Sequence, residues 1–344
     1  MNFDYDVIIS GGGPGGSSAA ICCAQHGLRT LLIERSPFPR HRPGETLHPG
    51  VLPLFKELKV WDDILQSHPV WHSGIHVRWG AYDRFTAFGE DNEGPWLGLS
   101  IRRAELDRIL LERASAAGAH FLQPCTVYEP TLLDNRVGGL RCDAGSISAR
   151  FIIDATGPKH WMATARKLAI CRMSSRLIAT YGYCRGDSGR IASPRIEGNW
   201  NGWTWLAPLD NGIYAWSRLL FRGANLQVPE TIADLDEIPP RAGADVTWRI
   251  LDRSAGPGYF VVGDAASVID PASSTGVLKA VMSGMHAARL IIAVQGKKIT
   301  EDAAMLKYRV WSHAFFHSKT RQLAEAYAKL RSGSSIATVK ERLG

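Results

Sequence analysis

Asp6-Val7-Ile8-Ile9-Ser10-Gly11-Gly12-Gly13-Pro14-Gly15-Gly16-Ser17-Ser18-Ala19-Ala20 is the stretch on which the fold of this 344-residue chain turns. Apolar residues run into a glycine-rich turn, and a run of small residues follows: strand, turn, helix. Gly11 permits a tight turn, Gly13 lets backbone approach a pyrophosphate, and Gly16 lets the helix lie close on the strand. Pro14 and Gly15 open that helix, whose first amides favour an anion. Thr30-Leu31-Leu32-Ile33-Glu34 reads as a second strand, ending in an acid placed for ribose hydroxyls, with Arg35 beside it. A dinucleotide site is expected at the start of the chain.

With 45% hydrophobic residues the chain has enough apolar side chains for a large core and two joined domains. The formal charge is +7. Its basic residues are scattered, without an arginine-rich run or zinc-finger spacing, which argues against a nucleic-acid partner. Cys22, Cys23, Cys125, Cys142, Cys171 and Cys184 form no CxxC pair and read as reduced core residues. No apolar run of membrane-spanning length is read, and the first strand begins within a few residues of Met1, so a cytoplasmic protein is expected. No His, Asp or Glu cluster has metal-ligand spacing, and no metal is expected.

An irregular segment rich in Pro, Arg, His and Gly runs from Ser36 to Pro53, after which Leu54-Phe55-Lys56-Glu57-Leu58 resumes a helix. Residues 71–99 alternate apolar and polar, as in Gly74-Ile75-His76-Val77-Arg78-Trp79, and predict strands. Residues 102–117 predict an amphipathic helix with Leu106, Ile109, Leu110 and Ala114 on one side. Phe151-Ile152-Ile153-Asp154 is a strand leading into Ala155-Thr156-Gly157, and residues 171–248 are again β-like and tryptophan-rich. Tyr259-Phe260-Val261-Val262 is a buried strand ending in Gly263-Asp264; helices follow near Gly276 and from Glu301. The predicted fold class is α/β. A Rossmann-like three-layer nucleotide domain is assembled from residues 1–70, 100–170 and 250–300. A β-rich substrate domain from residues 71–99 and 171–249 is interleaved with it, and a helical segment covers 301–344.

Gly263-Asp264-Ala265-Ala266 followed by Asp270-Pro271-Ala272-Ser273-Ser274-Thr275-Gly276-Val277 resembles FAD-dependent monooxygenases and halogenases of the p-hydroxybenzoate-hydroxylase-like, glutathione-reductase-type fold. With the opening loop and Asp154-Ala155-Thr156-Gly157, the resemblance extends over nearly the whole chain. It implies that Asp264 accepts a ribityl hydroxyl and that Pro271 and the turn to Val277 run under the isoalloxazine. Backbone amides of Thr275 and Gly276 would then stabilise the reduced ring. It also implies cofactor contacts from Arg103, Gly157 and the Arg42-Pro43-Gly44-Glu45-Thr46 loop, Arg42 and Thr46 among them.

The Gly44-Glu45-Thr46-Leu47-His48-Pro49 loop, the Ser-Ser-Thr-Gly-Val turn and Trp203-Thr204-Trp205-Leu206-Ala207-Pro208 are similar to the halogenase-like branch. The loop and the Ser-Ser-Thr-Gly-Val turn together most resemble flavoproteins that assist tryptophylquinone biogenesis. A halogenase needs a lysine that steers hypohalous acid, some thirty residues past the Gly-Glu motif. Here that region reads Trp71-His72-Ser73-Gly74-Ile75-His76 and holds none, so the resemblance implies an FAD-dependent monooxygenase. Such an enzyme hydroxylates an electron-rich aromatic through a flavin C4a-hydroperoxide, with O2 as co-substrate and electrons from NAD(P)H or a partner reductase. The substrate would be a small aromatic or a tryptophan of a partner polypeptide. His48, His76 and Glu45 are candidate proton-transfer groups, and Trp203, Trp205, Trp216 and Tyr181 candidate pocket walls. The alternatives are a halogenase, a geranylgeranyl-reductase-type enzyme and a non-catalytic flavin-binding protein.

Overall fold

Strand Tyr5–Ser10 is the centre of the first layer, flanked in parallel by Thr30–Ile33 on one side and by residues 149–154 on the other. His120–Leu122 and Tyr259–Val261 extend the parallel sheet at its two edges. These strands read as unbroken apolar runs because both faces are covered. The computed structural model describes residues 3–40, 42–187, 189, 191–210, 212–221 and 228–332; the end of the segment expected over 301–344 lies outside them. Seven α-helices are used below: α1 Pro14–Gln25, α2 Leu52–Glu57, α3 Trp61–Gln66, α4 Arg103–Ala116, α5 Trp161–Arg166, α6 Gly276–Gln295 and α7 Glu301–Ser332.

Alternate residues of the parallel strands feed two cores. Val7, Ile9, Leu32, Ile153 and Phe260 face a helical layer in which α1, α4 and α6 pack. Ile8, Leu31, Ile33, Ile152 and Val261 face the antiparallel hairpin Val127–Leu133/Arg136–Cys142 and α5. Strand Gly145–Asp154 belongs to both pairings: its first half closes the hairpin, and its second half joins the parallel sheet. The three layers expected from the sequence are therefore helices, parallel sheet, and hairpin with α5. By length and composition α6 would suffice to cross a membrane, contrary to the sequence expectation, yet most of its apolar window is buried against α1 and α7. Its apolar character covers this core.

The second sheet has seven strands in the order Asp236–Asp245, Ile178–Arg185, Ile213–Leu220, Gly202–Pro208, Arg195–Asn199, Gly74–Trp79 and Tyr82–Ala87. A small sheet of Thr46–Leu47, Gly98–Ser100 and Val70–His72 lies at the seam, so an expected boundary at residue 70 cuts through a strand. Helix α7 spans both halves. Its Ala304 and Tyr308 sit in the nucleotide-domain core, and its Phe316, Leu323 and Leu330 in the core beneath the second sheet.

Candidate active site

A cleft of about 1250 Å³ opens at the carboxyl ends of the parallel strands, where Ser10, Glu34, Ala155 and Val262 border it. Sites of open α/β sheets lie at this end because successive strands hand the chain to helices on opposite faces there. Gly11, Gly13, Pro14 and Gly15 line one wall. Gly11 has φ +108, and a Cβ there would stand 2.3 Å from the Ala155 carbonyl oxygen. Gly16 does not border the cleft; a Cβ would meet the Gly11 carbonyl oxygen at 1.9 Å, so its role is close packing of α1 on the strand. No side chain caps α1, and its first amides are left for a ligand. Glu34 is buried and accepts hydrogen bonds from the amides of Gly12 (2.7 Å) and Ser36 (2.9 Å). Its carboxylate thus clamps the glycine loop as well as facing the cleft. Arg40 adds an ion pair to Glu34 at 3.0 Å, from a position the sequence did not single out.

Arg35, Arg42, Thr46, Arg103 and Gly157 also border the cleft. Arg103 is anchored by Asp107 at 3.0 Å and donates to the Pro43 carbonyl at 2.7 Å, which holds the Arg42–Thr46 loop from behind. The buried Asp154 carboxylate accepts from the Thr156 and Met162 amides, both at 2.9 Å, and pins the turn before Gly157. On the facing wall lie Gly263, Asp264, Pro271, Gly276 and Val277. Thr275 is buried off the cleft, with its hydroxyl 2.9 Å from that of Ser273. It occupies the position before α6, and no side chain caps that helix, so the amides of Gly276 and Val277 face the cleft free of a side-chain acceptor. Glycine cradle, uncapped helix start and cleft-facing carboxylates together fit a dinucleotide with a ring system at its far end.

Glu45 is buried where the loop meets the second sheet. Its carboxylate accepts the Tyr183 hydroxyl proton and the Gly44 amide (2.8 Å). Burial raises its pKa, opposed by the Tyr183 hydrogen bond and the Arg103 charge. Trp205 borders the cleft and donates its indole N–H to Thr46 Oγ1 at 3.3 Å, and Tyr181 lies on the same face.

Four of the expected catalytic and pocket residues are placed elsewhere. His76 is on the peripheral strand Gly74–Trp79, with Nδ1 3.4 Å from Asp83 Oδ1, and is not among the residues bordering the cleft. Trp203 is a core residue, because α7 covers it and its indole donates to Tyr327 Oη at 2.8 Å. Trp216 edges the cleft, but its ring packs with Cys184, Leu206, Tyr214 and Ile232 on the other face of the sheet. His48 caps the short turn Pro49–Val51, its Nδ1 accepting the Gly50 amide at 3.1 Å. It does not border the cleft. It lies at the end of the loop away from the cleft, where its ring and that of His72 both meet Phe88, at 5.3 and 5.5 Å. Burial lowers the His72 pKa to about 4, and burial followed by the charge of Lys319 on α7 lowers that of His48. Tyr183, His72 and Lys319 carry no sequence signal, since their meeting depends on the packing of separate elements.

A family model described as FAD binding domain matches residues 4–180, and one described as tryptophan halogenase matches residues 96–329. The chain is 27% identical to the flavin-dependent halogenase armH4 of Armillaria mellea, over 94% of this chain and 69% of that protein. It is 26% identical to the tryptophan 2-halogenase of Chondromyces crocatus, over 88% and 64%. The chain thus spans about two thirds of the length of these relatives. The myxobacterial chondrochloren halogenase CndH superposes with a TM-score of 0.86 at 22% identity, over 97% of this chain and 84% of that one. A geranylgeranyl bacteriochlorophyll reductase-like protein of Thermoplasma acidophilum gives 0.81 at 22%, over 98% and 89%, so the fold does not choose between these chemistries. The family models and relatives favour the halogenase alternative over the hydroxylation expected first. The chain belongs to the tryptophan halogenase family, a flavin-dependent enzyme family, and FAD is its cofactor.

Proposed function

We propose that this chain halogenates an electron-rich aromatic small molecule, using O2, a halide and FAD reduced by a separate flavin reductase. The observation that carries this reading is the reach of the tryptophan-halogenase match, which runs from residue 96 to 329 and takes in five of the seven strands of the second sheet, the Pro271–Val277 turn and most of α7. When bound, reduced FAD supplies the electrons that activate O2 and so make the halide electrophilic.

The chain's own residues bind, orient and shield. The opening loop and the start of α1 hold the diphosphate, Asp264 takes a ribityl hydroxyl, and the amides at the start of α6 favour negative charge on the reduced ring. The Gly44–Pro49 loop runs from the cleft, at Gly44 to Thr46, to the His48–Phe88–His72 cluster, and Glu45 holds or releases a proton at the loop's buried edge. No lysine stands on the strand where the halogenase resemblance would call for one. Lys319, half-buried on α7 with its pKa lowered by burial, donates to Gln322 Oε1 at 3.3 Å and its charge acts on His48, and we assign it the steering of the electrophile.

The test is turnover with FAD, a flavin reductase, O2 and bromide on a panel of indoles and phenols, read by mass spectrometry. Halide-dependent bromination with the isotope doublet is expected, and Lys319→Met should abolish it while leaving FAD bound. A 16-dalton gain without halide would establish hydroxylation instead, and reduction of a double bond under anaerobic conditions would establish a reductase.

A further inference from the structure

Lys279 lies one turn into α6 and is 4% exposed. A buried ammonium is costly unless it is paired and hydrogen-bonded. Here Nζ is 3.0 Å from Asp264 Oδ1 and also donates to the Ser267 carbonyl. Asp264 is different: its side chain is 48% exposed and borders the cleft. Lys279 does not border it. The pair is therefore a buried cation standing behind a cleft-facing carboxylate.

We propose that Lys279 is a positioning residue that sets both the orientation and the effective charge of Asp264, and through it the reduction potential of the bound flavin. This rests on the reading of the cleft as the FAD site. Engaging Oδ1 fixes the carboxylate and leaves Oδ2 for a hydroxyl in the cleft. The ammonium offsets a negative charge that would otherwise oppose two-electron reduction of the flavin, whose reduced ring carries added negative charge. It acts with the positive end of α6 rather than against it. A methylene-only side chain would keep the packing and lose both effects.

The experiment measures the affinity of oxidised FAD and the midpoint potential of bound flavin in wild type, Lys279→Met and Lys279→Gln. Circular dichroism verifies the fold, and the second variant serves if the first fails to fold. We expect weaker FAD binding, with reduced FAD losing about tenfold more affinity than oxidised, which for a two-electron couple is a midpoint about 30 mV lower. Asp264→Asn should remove most of the effect of a further Lys279→Met on the potential. A folded variant holding FAD at the wild-type potential would overturn the proposal while leaving the FAD reading intact. Wild-type protein that takes up no FAD would overturn both.

Discussion

Two loops border the same cleft and treat charge in opposite ways. The Gly11–Gly16 loop presents backbone amides, and the acid nearest it, Glu34, is spent on holding that backbone in place. The Gly44–Pro49 loop buries the carboxylate of Glu45, supported by Tyr183 from the second sheet and by the charge of Arg103 from α4. The first is a grip for an anion, built locally and complete within a few residues. The second is a titratable edge whose state is set by elements more than fifty residues away in the chain. A cofactor has to be held at one end whatever the pH and worked on at the other, and under the proposed function the two loops would divide those tasks.

The division breaks most readily at the backbone. Gly11→Val forces a side chain into a positive-φ position against the Ala155 carbonyl, and FAD affinity, followed by flavin fluorescence, should fall by about 100-fold or more. A variant that keeps its flavin would remove the local-grip account.

At the other end the acids should respond to pH. Asp270, fully buried, has its pKa raised to about 6 by burial, against the hydrogen bond from Tyr327 Oη at 2.6 Å. Its folded pKa lies above the unfolded value of 3.8, so its contribution is intact below about pH 4 and is lost as pH rises through about 6. Asp270→Asn should therefore gain stability relative to wild type between pH 4 and 7, by up to about 3 kcal/mol in denaturant titrations. A pH-independent difference would contradict the assignment.

Tyr183→Phe removes the hydroxyl that favours ionised Glu45, and should cost about 1–3 kcal/mol at pH 8 and less at pH 5. Equal losses at both values would mean that Glu45 does not change charge over that range. The smallest effect is expected at His76. Its exposed pairing with Asp83 lies off the cleft, and His76→Ala should stay within about 0.5 kcal/mol of wild type with turnover unchanged.

The nucleotide layer was legible because its signals are local: strand, glycine turn and helix follow one another within twenty residues, and Gly263-Asp264 and Gly276 repeat that grammar. The catalytic end was not. His48 and His76 are both histidines near strand patterns, and nothing in their neighbours distinguishes a turn cap from a ring beside a surface carboxylate. Trp203 and Trp205 share strand parity, and only the course of α7 decides that one is covered and the other faces the cleft. Lys279 did leave a trace, a charge among the apolar residues that open α6, and such a residue warrants a search for its buried partner.

Tyr327, near the end of α7, is boxed by Trp79, Trp248 and Phe221 and hydrogen-bonds Asp270 just ahead of the Pro271–Val277 turn that borders the cleft. The pocket begun at residue 11 is thus finished by a side chain more than three hundred positions later. During synthesis the diphosphate grip emerges from the ribosome long before the seat for the ring is complete. Variants that loosen the anchoring of Tyr327 should therefore accumulate as pale apoprotein even when the glycine loop is untouched.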